Sequence, residues 1–303
     1  LKQLEREGLL ESQGRRRQRR IAHIPVTAGA KALRIRVLPY EDLDRSSPYD
    51  SRLLAKLNNR GFAADFTRRT LEDLGMQVDR VSKFVTQTPA DAWVIQAGSR
   101  EILEWFARYH VPAIAVFGVF TGLPIAAVSM RKTPAMRAAL RRLVDLGHRR
   151  IVLLTREERR KPQPALFERN FLNELDALGV RSGAYNLPDW EDSAPGLRRC
   201  LDELFAYTPP SAILIEDVQL LIPVKQYLGR RKIVIPEQLS LIVNDSHPFF
   251  NWSDPTLAQM VGDYDKVVKR VCHWAGNVAK GKVDHGQTFV DAQFVEGGTI
   301  GSV

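Results

Sequence analysis

The sequence of 303 residues has few of the features that crosslink a fold or place it in a membrane. Its two cysteines, Cys200 and Cys272, lie far apart and outside any Cys-x-x-Cys spacing, so we expect neither a disulfide framework nor a zinc site. No apolar run approaches the roughly 18 residues of a membrane-spanning helix, and the N-terminus carries charges where a signal peptide would be apolar. We therefore predict buried, inert thiols, no bound metal, no membrane partner and a cytoplasmic location.

Motifs that would indicate an enzyme are also missing. The sequence has no nucleophile elbow, no phosphate-binding loop, no metal-ligand cluster and no carboxylate pair inside a catalytic motif. We therefore predict that the protein is not an enzyme and requires no cofactor.

Hydrophobic residues make up 44% of the chain and charged residues 26%, which is enough for one or two substantial cores. The net charge of +9 is unevenly distributed. The first 36 residues contain ten Lys and Arg against three Glu, a net charge of +7. Such a block attracts nucleic-acid phosphates, but a solvated basic linker has the same composition, and composition alone favours neither interpretation.

The first 20 residues have the pattern of a helix end followed by a basic ribbon. The residues that carry the pattern are Leu4, Glu5, Glu7, Gly8, Leu9 and, at the tip of the ribbon, Gly14. This pattern resembles the end of a GntR-class winged helix-turn-helix. The resemblance implies that residues 1–24 are the C-terminal part of a DNA-binding domain and that residues 25–32 are a linker. Because Leu1 already lies within a helical pattern, we expect the natural chain to extend upstream.

Arginines of this ribbon would contact operator DNA, mainly at phosphates, whereas base specificity would lie in the upstream helix. Arg16 or Arg17 is the candidate for a minor-groove contact from the wing. The predicted DNA-binding residues are Arg15, Arg16, Arg17, Arg19 and Arg20.

From residue 33 onward, short apolar runs alternate with amphipathic stretches. The runs predict strands at 33–39, 62–66, 92–96, 113–117, 151–154, 212–215, 239–244 and 288–294. The stretches between them predict helices at 51–60, 78–85, 100–109, 134–146, 165–178, 196–206, 218–228 and 264–279. This order favours parallel sheets covered by helices on both faces. We predict an α/β protein of two doubly wound lobes, which are interwoven because the last helix and strand cannot stand alone.

The segment LVDLGHRRIVLL at 143–154 combines a helix end at Gly147, a turn and a buried strand. It resembles a signature of the lactose and galactose repressor (LacI/GalR) family, whose sensing domains have the periplasmic-binding-protein type I fold. Further segments resemble that family in the same order, so the likeness spans residues 33–303. The resemblance makes His148 a turn residue and not a catalyst.

The family resemblance implies that the chain passes between the lobes three times, near 129–132, 259–263 and 286–288. The first lobe would then comprise residues 33–130 and 262–287, and the second lobe residues 131–261 and 288–303. A small-molecule effector, such as a sugar or a related metabolite, would bind in the cleft at the carboxyl ends of the strands. A homodimer would match a symmetric operator.

Effector contacts of the family can be transferred to this sequence only position by position. Asp245 matches an acidic residue that accepts hydrogen bonds from the ligand. Trp190 matches an aromatic residue that lies against it, although a packed core position explains Trp190 equally well. Asp217 is at least as well placed to cap the following helix. The predicted effector-binding residues are Asp245, Trp190, Glu216, Asp217, Phe167, Arg169, Tyr49 and Ser99.

One departure from the family concerns the helix after 143–154. Phe167 stands where relatives carry an arginine that forks onto the ligand, and Arg169 points about 200° away around an ideal helix. This change weakens the case for a typical hexose and admits a more apolar or aromatic ligand. The basic stretch at 157–163 is either a contact for an anionic ligand or, as we favour, a solvated loop.

These features together predict a ligand-controlled transcription regulator in which closure of two lobes alters operator binding. The alternative is a solute-binding protein of a transport system, which has the same fold but needs no basic N-terminus.

Overall fold

The structure is a computed structural model that describes residues 10–11, 20–21, 32–42 and 47–303. Near the N-terminus, β1 (Leu10–Glu11) pairs antiparallel with β2 (Arg20–Ile21). The predicted DNA contacts Arg15, Arg16, Arg17 and Arg19, and the side chain of Arg20, lie outside the described residues. No helix in the described part of the chain is both long and apolar enough to cross a membrane.

The remaining strands form two sheets that are mostly parallel. In chain order they are β3 (Arg34–Leu38), β4 (Ala63–Phe66), β5 (Ala92–Gln96), β6 (Ala113–Val116), β7 (Ala126–Arg131), β8 (Ile151–Leu154), β9 (Ala212–Ile215), β10 (Ser240–Val243), β11 (Ala258–Val261), β12 (Gln287–Asp291) and β13 (Gln293–Val295). The first lobe holds a six-stranded sheet in the order β12-β7-β6-β5-β3-β4, with every pair parallel. The second lobe holds the order β13-β11-β10-β9-β8, in which only the β11–β13 pair is antiparallel.

Helices cover both faces of each sheet. They are α1 (Pro48–Asn58), α2 (Val78–Gln87), α3 (Arg100–Arg108), α4 (Thr133–Asp145), α5 (Glu157–Arg160), α6 (Leu166–Ala177), α7 (Ala194–Tyr207), α8 (Leu221–Arg230) and α9 (Tyr264–Ala279). Two short 3₁₀-helices, Val218–Leu220 and Pro248–Trp252, follow β9 and β10. The predicted α/β architecture of two parallel-sheet lobes is confirmed.

The alternation of side chains along a strand explains why each lobe has two cores. All five residues of β5 are buried. Val94 joins the core under α1 and α9, whereas Trp93 and Ile95 point to the opposite face and pack with α2 and α3. Because both faces of the strand are covered, the sequence reads as a continuous apolar run.

The chain passes between the lobes three times. It leaves the first sheet after Arg131 and begins α4 of the second lobe at Thr133. It returns between β11 and α9, since α9 buries Trp274 in the first-lobe core. It passes for the third time at Ala292, between β12 of the first sheet and β13 of the second. The lobes are therefore interwoven.

The prediction of the third crossing near residues 286–288 was wrong. The single strand expected at 288–294 is two strands: β12 extends the first sheet beside β7, and β13 pairs with β11 of the second sheet. Residues 288–291 therefore belong to the first lobe and not to the second. The strands β7 and β11 had not been predicted, and the helix expected at 218–228 begins as a 3₁₀-helix before α8.

Candidate functional site

An interlobe cleft is defined by contacts between residues that follow the strands of the two sheets. After β8, Arg156 places its Nη1 3.3 Å from Oε2 of Glu41, which follows β3. The Tyr40 hydroxyl donates a hydrogen bond to Glu158 across the same gap. Carboxyl ends of parallel strands are the usual ligand-binding edge of open α/β sheets.

Asp245 lies in the cleft at a point where three parts of the chain meet. Its Oδ2 is 3.2 Å from Nζ of Lys132, which lies at the first lobe crossing. The hydroxyl of Tyr264, at the start of α9 in the first lobe, donates to Oδ1 over 2.9 Å. The backbone N–H of Ser246 donates to the same oxygen over 2.7 Å. The Asp245 carboxylate therefore links its own lobe to the first lobe and to the crossing between them.

Glu216 belongs to a second cluster, at the ends of β8 and β9. Its Oε1 is 3.0 Å from Nη2 of Arg159, and the hydroxyl of Thr155 donates to its Oε2. The same guanidinium lies 3.3 Å from Oε1 of Glu168, which is fully buried in α6. Burial and then the neighbouring Glu216 raise the pKa of Glu168 to about 8. Burial alone would raise the pKa of Glu216 as well, but Arg159 and Thr155 hold it below its usual value.

Asp217 faces an arginine and does not cap the helix that follows it. The side chain makes no capping hydrogen bond to the 3₁₀-helix Val218–Leu220. Its Oδ2 instead lies 3.4 Å from Nε of Arg156, whose Nη2 is also 2.9 Å from Oε1 of Glu158. Burial and then Glu216 raise the pKa of Asp217 above its ordinary value. The capping role considered for Asp217 was therefore wrong.

Three predicted effector-binding residues lie outside the charged clusters around Asp245, Glu216 and Asp217. They are Trp190, Phe167 and Arg169. Trp190 is buried in the second-lobe core, with the Arg160 guanidinium carbon 5.2 Å from its ring centre. Phe167 packs in the core on the other face of the second sheet. Arg169 is exposed and donates over 2.6 Å to the carbonyl oxygen of Pro164. For Trp190 the core interpretation describes what the structure shows.

The two first-lobe candidates, Tyr49 and Ser99, make packing and capping contacts within their own lobe. Tyr49 is 8% exposed and packs its ring 5.7 Å from that of Phe117 and 5.6 Å from that of Tyr264. Ser99 caps α3 by accepting the N–H of Ile102 over 3.4 Å. Both side chains therefore have structural roles at the base of the cleft.

Sequence reasoning missed several cations that the fold brings to the cleft. Lys132 and Asp245 are far apart in sequence, Arg159 lies in the stretch 157–163 that we had favoured as a solvated loop, and Arg156 directly precedes that stretch. Arg159 faces Glu168 and Glu216 instead. The available signal was that Arg156 lies two residues after a buried strand. Among the described residues, no group of three or more His, Cys, Asp or Glu side chains is arranged to hold a metal ion. The cleft thus offers carboxylates, guanidinium groups, an ammonium and hydroxyls, which suit the binding of a polar small molecule.

Comparisons with known proteins agree with this architecture. Residues 140–300 match the model of the periplasmic binding protein-like domain family. A transcription regulator-like protein from Staphylococcus haemolyticus is 17% identical, with a TM-score of 0.72 over 90% of this chain and 100% of that chain. A LacI family transcriptional regulator from Arthrobacter sp. FB24, in complex with lactose, is 17% identical, with a TM-score of 0.71 over 89% of this chain and 99% of that chain.

The lac repressor dimer, bound to operator and an anti-inducer, is 15% identical, with a TM-score of 0.70 over 91% of this chain and 96% of that chain. At such identities the likeness to solved structures shows the fold. No curated protein sequence matches the chain. The family model covers more than half of the 303 residues. The chain therefore belongs to the periplasmic binding protein-like domain family.

Proposed function

We propose that this chain is the effector-sensing core of a DNA-binding transcription regulator. In this role the interlobe cleft binds a sugar or a related small metabolite, and the bound effector changes the affinity of the protein for its operator. The protein acts by binding and not by catalysis.

The observation that carries this proposal is the position of Asp245. It is bonded to Tyr264 of the first lobe and to Lys132 at the lobe crossing, while it belongs itself to the second lobe. A ligand that engages this carboxylate changes contacts to both lobes at once. A ligand that binds one lobe arrangement better than another shifts the equilibrium between them. The lactose complex of the Arthrobacter regulator, which has the same fold, supports a carbohydrate as the ligand class.

The DNA-binding end of the protein is assigned to residues 1–24. The net charge of +7 in the first 36 residues supports this assignment, because clustered arginines release counterions from DNA when they bind its phosphates. Arg15, Arg16, Arg17, Arg19 and Arg20 are the proposed phosphate contacts. The likeness of residues 1–20 to a winged helix-turn-helix is the basis for this part of the proposal.

A homodimer is the proposed assembly, since a two-fold dimer matches a symmetric operator. Three large apolar side chains of the second lobe support it: Ile222, Phe249 and Trp252 are 67%, 74% and 91% exposed. They follow β9 and β10, which are neighbouring strands. Exposed apolar side chains at one end of a sheet are suited to pack against a second copy of the chain.

Thermal melts test the effector site. The chain is melted with monosaccharides, disaccharides, sugar acids and nucleobases, and a ligand at about 100 times its dissociation constant should add roughly 2.7 kcal/mol of stability. We expect at least one sugar to stabilise the chain and Asp245→Ala to abolish the effect.

The control variant is Asp202→Ala. Asp202 also accepts a hydrogen bond from a tyrosine, Tyr227, and pairs with a cation, Arg231, but it lies on α7 and contacts α8, away from the cleft. Asp202→Ala should keep the ligand response. Stabilisation that survives Asp245→Ala would contradict the assignment of the cleft.

A further inference from the structure

Exposed cations lie at the edge of the first lobe where its parallel strands begin. The chain enters this edge at Leu33, directly before β3. The last residue of α1, Asn58, bonds the backbone of Ala64 at the start of β4 at 3.1 Å and 3.0 Å. After α9, the carbonyl oxygen of Gly286 accepts the N–H of Ala127 at the start of β7 over 3.1 Å. The ends of α1 and α9 therefore lie where the N-terminal segment joins the lobe, and we call this end of the sheet the entry edge.

Three cations of the entry edge have no carboxylate partner. Arg60 follows α1, and Lys280 and Lys282 follow α9. All three side chains are exposed. None of them lies within 4.0 Å of a carboxylate oxygen in the part of the chain that the structure describes. Their charges therefore face solvent.

Carboxylates that precede strands at the entry edge are paired with other cations. Asp91, directly before β5, is 2.8 Å from Nη2 of Arg34. Asp284, three residues before β12, is 2.7 Å from Nη2 of Arg270 and accepts a further hydrogen bond from Asn277 over 2.9 Å. These two carboxylates do not compensate the three exposed cations.

Positive charge continues along the face that α1 and α9 share. The two helices pack in one core. Burial raises the pKa of the Cys272 thiol in α9, and the charges of Arg60 and Lys56 lower it, so the end of α1 lies beside α9. Lys56 on α1 and Lys269 on α9 are exposed as well. The cations of the two helices thus form one surface.

Cations at helix ends also complement the helix dipole, which is a purely local role. The second lobe shows such cations: Arg230 ends α8, Lys232 follows it, and both are exposed. They lie where the second sheet begins. Because the carboxyl ends of both sheets face the cleft, this edge and the entry edge are at opposite ends of the protein. Proximity to residues 1–24 therefore distinguishes the entry edge.

The linker length keeps the entry edge close to the proposed DNA-binding segment. The predicted linker, residues 25–32, spans at most about 29 Å when it is fully extended. One turn of duplex DNA is about 34 Å long. DNA held by residues 1–24 therefore passes within about one helical turn of the entry edge.

We propose that the entry edge is a second DNA contact, at which Arg60, Lys280 and Lys282 bind phosphates of the duplex that flanks the site held by residues 1–24. The inference rests on the proposed function and names a further part of the chain that binds the same partner. Phosphate contacts add affinity without base specificity. They release counterions from DNA, so the added affinity falls as salt rises.

Fluorescence anisotropy with a labelled mixed-sequence duplex of about 40 bp tests the proposal at salt concentrations from about 50 to 200 mM. The protein is the 303-residue chain. We expect Arg60→Gln/Lys280→Gln/Lys282→Gln to bind at least about tenfold more weakly at the lowest salt concentration. The slope of log affinity against log salt should fall by about 2 to 3, since each phosphate contact contributes about 0.9. A slope that changes by less than about 1 overturns the proposal.

The matched control removes three exposed cations from the second lobe, as Arg181→Gln/Arg230→Gln/Lys232→Gln. The change in net charge is the same, so affinity and slope should stay as in the wild type if position decides. An equal loss in both triple variants would show an effect of net charge alone and overturn the proposal. Thermal melts, which should be unchanged because all six side chains are exposed, check that both variants fold.

A variant of the N-terminal ribbon separates this inference from the proposed function. It replaces Arg15, Arg16, Arg17, Arg19 and Arg20 by Gln. If the ribbon variant loses DNA binding and the entry-edge variant keeps it, residues 1–24 remain the DNA-binding segment and the inference fails. If only the entry-edge variant loses binding, the entry edge is a DNA contact and the assignment of residues 1–24 fails. Absence of binding by the wild type overturns both.

Discussion

The two lobes share one architecture but differ in the residues that they place at the ends of their strands. In the second lobe, β8, β9 and β10 are each followed within two residues by a charged side chain: Arg156, Glu216 with Asp217, and Asp245. In the first lobe, the two residues that follow β5 and the two that follow β6 are uncharged, whereas Arg68 lies two residues after β4 and Lys132 directly follows β7. Among the first-lobe carboxylates that the structure describes, Glu41, after β3, pairs across the cleft with Arg156.

This difference assigns different tasks to the lobes. The second lobe holds most of the charged groups described at the cleft. The first lobe supplies a mainly aromatic surface, with Phe117 and Tyr264 6.5 Å apart between ring centres, and two residues that bond across the gap, Tyr264 and Glu41. We infer that the second lobe selects the effector and that the first lobe closes on it.

The largest expected effect is the loss of stability when a core ring is truncated. It tests whether the two lobes are equally well packed even though they differ in charge. Phe171→Ala in the second-lobe core and Trp274→Ala in the first-lobe core each remove a fully buried ring. Each should lower the free energy of unfolding by about 3–5 kcal/mol. Urea denaturation measures both. A cost below about 1 kcal/mol for either variant would mean that its lobe is loosely packed.

The next prediction concerns the ion pairs of Arg156. It tests whether the second-lobe residues of this cluster contribute more to stability than the first-lobe partner, Glu41. Arg156→Gln leaves Glu158 and Asp217 without their cation and should lower the free energy of unfolding by about 2–3 kcal/mol. Glu41→Gln leaves Arg156 with two carboxylates, so it should cost about 1 kcal/mol. The same denaturation experiment compares the two variants, and an equal or reversed order would contradict the asymmetry.

The smallest effect is the pH dependence that Glu168 gives to the second lobe. Its pKa of about 8 in the folded chain lies above the usual value for glutamate. The folded state therefore holds a proton that the unfolded state has released, and stability falls as pH rises from the ordinary pKa towards 8. Between pH 7 and pH 9 the loss should be roughly 1–2 kcal/mol.

Unfolding measured at both pH values checks this prediction. Glu168→Gln should flatten the pH profile, while Glu174→Gln should keep it. A wild-type profile that rises over this range would show that Glu168 is ionised in the folded chain at neutral pH.

Much of the fold could be predicted from the sequence because the central strands are short apolar runs between amphipathic helices. β5, β8 and β9 have the bounds that the pattern predicted. β7 and β11 were missed because each lies at a lobe crossing, and their strand conformation depends on partners that come from other parts of the chain. For the same reason, the single strand predicted at 288–294 is two strands in the structure. β12 pairs in the first sheet and β13 in the second, and Ala292 lies between them.

Less of the candidate site could be predicted. The family resemblance identified Asp245, Glu216 and Asp217, each of which follows a strand at the edge where the strand ends meet. Lys132 and Tyr264 were missed since their proximity to Asp245 arises only when the chain crosses between lobes. The role of Trp190 was ambiguous in the sequence. A tryptophan in this sequence context can be buried in a core or can stack on a ligand, and the sequence pattern is the same for both roles.

The most direct test of the central claim, that the second lobe selects the effector and the first lobe closes on it, compares the two partners of one hydrogen bond. The affinity of the sugar found in the melts is measured by calorimetry for wild type, Asp245→Ala in the second lobe and Tyr264→Phe in the first. We predict a loss of at least about tenfold for Asp245→Ala and only about two- to fivefold for Tyr264→Phe. Equal losses, a larger loss for Tyr264→Phe, or an unchanged affinity of Asp245→Ala would contradict the account.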